Sequence, residues 1–106
     1  MPKIRIYNRT KGSKLPAGVA IVVRAGATSS EGVFQGKPSE LEVQVDKYVI
    51  YEPSSSTFRI VAEPKDQKIK AANFFPKKGA VTKDTDLYIV ASNKDYVEIS
   101  YDKPAG

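Results

Sequence analysis

The chain has 106 residues, 17 Lys and Arg against 12 Asp and Glu, a net charge of +5, and no His, Cys or Trp. It therefore lacks the side chain that titrates near neutral pH, the ready thiolate nucleophile and the usual ligands of zinc, which excludes most hydrolase triads and transition-metal sites. Hydrophobic content of 41% and charged content of 27% form a globular balance, and the length suits a single domain, residues 1–106, with one modest core.

In chain order, Lys3-Ile4-Arg5-Ile6-Tyr7 alternates with period two, so Ile4 and Ile6 share one face and Tyr7 takes the other. Lys3 and Arg5 have the look of edge protection on this first strand. Asn8 to Ser13 supplies turn chemistry; within it Asn8-Arg9-Thr10 matches a glycosylation sequon, a chance match without a secretory leader. Leu15-Pro16-Ala17-Gly18 leads into Val19 to Arg24, apolar on both faces as a central strand is. The segment Leu15 to Val19 resembles the loop before a central strand in prealbumin-like accessory domains. Gly26 to Gly32 reads as a loop. Gly32-Val33-Phe34-Gln35-Gly36 reads as a short, weak strand and a candidate edge for a partner.

Leu41 to Asp46 is the cleanest alternation, followed by Tyr48-Val49-Ile50-Tyr51, which Pro53-Ser54-Ser55-Ser56 breaks. Thr57 to Ala62 is another strand. Between Glu63 and Phe75, Pro64 and the helix formers that follow it predict one short helical turn near 64–72, then extended chain; a strand from Ile69 to Phe75 is the alternative. Asp86 to Ala91 and Tyr96 to Tyr101 flank Ser92-Asn93-Lys94-Asp95 and predict a hairpin. By parity Tyr96 points outward, and Tyr101 inward with Val97 and Ile99.

Short strands with a turn signal at nearly every gap describe an all-β, two-sheet antiparallel sandwich of seven to eight strands, immunoglobulin-like or transthyretin-like. An open barrel such as the OB-fold is the second choice. No run of about 18 apolar residues exists to span a membrane, and the strand-like N-terminus lacks the apolar core of a signal peptide. The expected location is cytoplasmic, with a virion-associated protein or one secreted by another route left open.

Charge is uneven. Residues 1–24 hold Lys3, Arg5, Arg9, Lys11, Lys14 and Arg24 with no anion, and residues 64–83 hold six Lys against Asp66 alone. Together they would form a cationic face suited to phosphates or an acidic partner; the plainer reading is a solvated lysine surface. Phe74-Phe75 between Lys70 and Lys77-Lys78 is the aromatic-and-lysine mix of a single-strand nucleic-acid groove, although a small β domain needs at least one of the two rings inside. Asp84-Thr85-Asp86 with Asp95 offers too few oxygens for calcium, and no carboxylate pair stands out for glycoside hydrolysis.

The sequence thus predicts no catalytic, cofactor or metal site, no small-molecule substrate and no enzymatic activity. It predicts a structural or interaction module working through its surface or sheet edges, with a protein partner or self-association. The candidate surface is Phe74, Phe75, Lys70, Lys77, Lys78, Tyr7 and Tyr96. The alternative is a nucleic-acid-binding domain using residues 1–24 and 64–83.

Overall fold

A computed structural model describes residues 2–12, 14–71, 74–76, 81 and 83–101. The chain runs through β1 (Ile4–Arg9), β2 (Ile21–Ala27), β3 (Ser39–Val43), β4 (Tyr48–Tyr51), β5 (Phe58–Pro64), β6 (Lys70–Ala71), β7 (Phe74–Phe75), β8 (Thr85–Ala91) and β9 (Tyr96–Ser100). These form a β-sandwich: sheet A in the order β4-β1-β8-β9-β6, and sheet B in the order β3-β2-β5-β7.

Period-two patterning decides which side chains enter the core. Ile4 and Ile6 of β1, Leu87 and Ile89 of β8, and Val97 and Ile99 of β9 face inward from sheet A. Ile21, Val23 and Ala25 of β2, Phe58, Ile60 and Ala62 of β5, Val43 and Phe75 meet them from sheet B, and all lie in one buried cluster. Leu15, Val19, Leu41, Val49 and Tyr51 close its margins.

The sheets are not both antiparallel, as the sequence had suggested. Sheet B is, but in sheet A β1 runs parallel to β8, with Ile6 opposite Leu87, and β6 runs parallel to β9, with Lys70 opposite Tyr96. Consequently β1 is an interior strand between β4 and β8. Lys3 and Arg5 guard no edge; Arg5 instead sits opposite Asp86 of β8 and ion-pairs with it at 3.8 Å.

No helix occurs among the described residues. After Pro64 ends β5, Asp66 takes over: its Oδ1 accepts from the Lys68 N–H at 3.0 Å and its carbonyl from the Ile69 N–H at 3.0 Å. This carboxylate-capped turn satisfies locally the backbone groups a helix would have paired, and the chain leaves it directly as β6. Gly32 to Gly36 makes only a single bridge, Thr28 to Phe34. It belongs to a loop that bonds itself, Ser29 N–H to Val33 O and Gln35 N–H to Ala27 O, both at 2.9 Å, and it offers no strand edge.

One polar cluster lies inside. Asn8 is fully buried; its amide donates to the carbonyls of Val19 (2.8 Å) and Val43 (2.9 Å), and its Oδ1 accepts from the Thr10 hydroxyl (2.7 Å) and N–H (3.2 Å). The Thr10 hydroxyl also accepts the Val19 N–H at 2.9 Å. The residue read from sequence as turn chemistry thus ties the end of β1 to β3 and to the 10–20 loop. As a sequon Asn8 is out of reach in the folded chain.

Candidate interaction surface

The two outer faces of the sandwich differ in chemistry. On sheet B, Arg24 lies between Glu40 (3.5 Å) and Glu63 (2.8 Å), and Lys65 binds Glu42 at 3.1 Å. The Lys65 ammonium, with help from the Gln44 amide, holds the Glu42 carboxyl below its usual pKa. This face is a set of self-matched charges.

The outer face of sheet A carries tyrosine. Tyr48 on β4, Tyr7 on β1 and Tyr88 on β8 are cross-strand neighbours, since Tyr7 pairs with both. Ring centroids are 5.2 Å apart for Tyr48–Tyr7 and 5.1 Å for Tyr7–Tyr88, the latter pair stacked at 14°. The Arg9 guanidinium covers Tyr7 at 5.5 Å from its centroid while ion-pairing with Asp46 at 3.8 Å. Tyr7 thus has a ring neighbour on either side, and Tyr48 and Tyr88 each have one. None of the three hydroxyls bonds to a protein atom among the described residues.

The row ends at a free edge. Tyr48 and Ile50 of β4 are 54% and 44% exposed, whereas Val49 and Tyr51 turn to the core, where burial raises the Tyr51 pKa. The backbone follows the same parity. Asn8 N–H donates to Lys47 O and Asp46 N–H to Asn8 O, both at 2.9 Å, with Asp46 at φ 65°; this is a bulge in which two residues oppose one. Counting on along the antiparallel register, Val49 and Tyr51 aim their N–H and C=O groups at β1, and Tyr48 and Ile50 aim theirs away from it. Among the described residues β4 therefore presents unpaired backbone beside an aromatic and an aliphatic side chain.

The other edges are blunted. β6 and β7 are two residues each, and β3 carries Glu40 and Glu42 in ion pairs. Short length and charge are the usual protections of an edge. β4, Tyr-Val-Ile-Tyr, has neither charge nor proline within it.

The seven residues expected to form one surface are scattered. Phe75 is 3% exposed and belongs to the core, so it is no surface residue. Phe74 is 38% exposed on the outer side of sheet B, where the Arg59 guanidinium lies 3.9 Å over its ring. Lys70 and Tyr96 face each other at the far edge of sheet A, and only Tyr7 joins the tyrosine row. Lys77 and Lys78 lie outside the described residues. Tyr101 does not point inward: it is 54% exposed and sets its ring against Phe75 at 5.5 Å. Ile50 is the residue sequence reasoning missed, and Tyr48 and Tyr88 were not singled out from the six tyrosines of the chain. Their outward parity was readable, but that β4, β1 and β8 are neighbours was not.

The basic stretches share no single face among the described residues. Lys3, Arg5 and Arg9 lie on sheet A beside Glu52, Asp86 and Asp46, and Arg24 lies on sheet B. Lys14 donates to the Ser92 carbonyl at 2.9 Å. Among the described residues no His, Cys, Asp or Glu cluster gathers to hold a metal, and no helix is long and apolar enough to cross a membrane.

The fold defines a class, the small two-sheet β-sandwich. No family matches the chain, and no curated protein does. Among solved structures, the NMR structure of a protein from Eubacterium rectale is similar, with a TM-score of 0.62, 14% identity and coverage of 97% of this chain and 89% of that one. At that identity the likeness concerns the fold alone.

Proposed function

We propose that this chain is a non-catalytic protein-interaction module whose working surface is the outer face of sheet A together with the β4 edge. The observation that carries this reading is the row Tyr48–Tyr7–Tyr88 running onto the uncharged edge that Tyr48 and Ile50 share. Rigid tyrosines give a partner large contact area at low cost in side-chain entropy, and a free strand edge gives backbone hydrogen bonds with pockets for alternate side chains.

The geometry favours a protein over a nucleic acid. A single-strand groove stacks bases on open ring faces. Here Tyr7 and Tyr88 spend their faces on one another. The nearby cations Arg5 and Arg9 already have carboxylate partners, so the local field that would gather phosphates is largely cancelled.

The test is a selection of peptide ligands from a random display library, followed by affinity measurements on variants. Tyr48→Ser is expected to weaken the selected peptides by about 2 kcal/mol, roughly thirty-fold in Kd. Phe74→Ser, on the opposite sheet, is expected to leave them unchanged. Ligands that ignore Tyr48 and depend on Phe74 would contradict the proposal, as would turnover of a substrate by the purified chain.

A further inference from the structure

Resting on that reading, we infer that one partner of the β4 edge is a second copy of this chain, added antiparallel so that sheet A runs continuously through both molecules. The warrant is that β4 complements itself. Its unpaired backbone groups belong to Tyr48 and Ile50, two residues apart on the same face. A two-fold axis at Val49 sets Tyr48 opposite Ile50 of the second copy and Ile50 opposite its Tyr48. Each of these pairs then exchanges both N–H···O bonds, because both members direct their groups outward.

Both sheet faces stay in phase. Val49 meets Val49 of the second copy on the core side, and the tyrosine row continues onto Ile50 and Arg5 of the second copy. A two-fold contact uses one patch twice, so every favourable pair counts double.

The charges at the two ends of the interface balance. Lys47 shares the parity of Val49 and Tyr51 and falls opposite Tyr51 of the second copy, on the core side. Asp46 comes opposite Glu52 of the second copy, which sets two carboxylates together, but Asp46 brings Arg9 and Glu52 brings Lys3. Each end therefore gathers Arg9 and the second copy's Lys3 around two carboxylates. The net +5 on each molecule opposes association at long range. The measurement therefore belongs near 0.15 M salt, where the Debye length is about 8 Å.

Light scattering coupled to size exclusion, over concentrations up to about 1 mM where mass action favours assembly, tests this directly. The mass is expected to rise from 11.6 kDa toward twice that value. Ile50→Lys, a charge of the kind that guards natural edges, is expected to keep the chain monomeric throughout. Gln67→Lys adds the same charge far from β4 and is expected to leave the rise intact. Amide exchange on the unaltered chain gives a readout that needs no variant: the Tyr48 and Ile50 amides gain protection as concentration rises, while Val49 is protected throughout. A monomer at every concentration overturns the inference. So does a dimer that persists in Ile50→Lys or forms without protecting Tyr48 and Ile50. Monomers whose selected peptides still depend on Tyr48 would end self-pairing alone, whereas peptides indifferent to Tyr48 would end the interaction reading itself.

Discussion

Asn8 shows how much one buried polar side chain can organise. It has no water to fall back on, so its amide and carbonyl must be satisfied by protein, and they are, by Val19, Val43 and Thr10. Replacing it by Ala orphans the Thr10 N–H and takes a donor from each of the Val19 and Val43 carbonyls. At about 1–3 kcal/mol for each orphaned group, Asn8→Ala is expected to cost roughly 3 kcal/mol. In calorimetry that is a fall in Tm of more than 10 °C, at roughly 4–8 °C per kcal/mol for a domain of this size. Asn8→Asp tests the chemistry more sharply. A carboxylate there would face the Val19 and Val43 carbonyls in a site without solvent, so the folded state favours the protonated acid and raises its pKa. The variant is expected to be most stable in acid and to lose stability as pH rises above about 3.9, the unfolded value. A stability difference from the unaltered chain that is flat between pH 3 and 7 would contradict the arrangement. Gly32, at φ +84°, sits where a Cβ would collide with the Arg59 guanidinium. Gly32→Ala is expected to cost about 1 kcal/mol from backbone strain and to lift Arg59 off Phe74. A double-mutant cycle with Phe74→Ala measures the second part, and full additivity would show that the two are not coupled.

At the scale of the element, β3 and the turn after β5 are linked by Lys65 and Glu42. The Glu42 carboxyl is held below its ordinary pKa by the Lys65 hydrogen bond and charge and by Gln44. A depressed folded value means that its contribution is present above the unfolded pKa, about 4.3, and is lost as pH falls through the folded value. Glu42→Gln is therefore expected to lose less stability than the unaltered chain between about pH 4.5 and pH 2 in urea titrations. An equal loss would show that the pair contributes nothing, as many exposed pairs do. Most strand positions, and the faces of β1 and β9, were legible because alternation is a local property: Ile4 and Ile6 in with Tyr7 out needs only adjacent residues. Pairing was legible only for the β8–β9 hairpin, whose strands are neighbours in sequence. Nothing near Ile4 to Arg9 announces that Thr85 to Val90 will lie alongside in parallel, since inward and outward parity read the same in either direction. The reading of Lys3 and Arg5 as edge guards failed for that reason. The helical turn near 64–72 failed for another: propensity favoured it, but Asp66 capped a tighter turn.

For the molecule as a whole, the composition promised a basic surface, and the fold distributes it differently. Cations crowded into residues 1–24 of the sequence are spread over both outer faces and set beside carboxylates from distant strands. The tyrosine row of sheet A and the edge beyond it carry no charge of their own and take no part in this pairing. A random single-stranded oligonucleotide is accordingly expected to bind weakly even at low salt, with a shallow dependence of affinity on salt. A log–log slope of several units would instead signal the release of many counterions and would revive the basic stretches as the working surface. The candidate site was only partly legible. Tyr7 was singled out from parity, while Tyr48, Ile50 and Tyr88 join it only through the strand order, which no local pattern encodes.

The most direct test of sheet A as the working surface is a chemical-shift map of the isotope-labelled chain titrated with a library-selected peptide. The account predicts that the shifted amides cluster at Tyr7, Tyr48, Ile50 and Tyr88. A cluster at Phe74 and Arg59, or along the Arg24 and Lys65 ion pairs of sheet B, would contradict it.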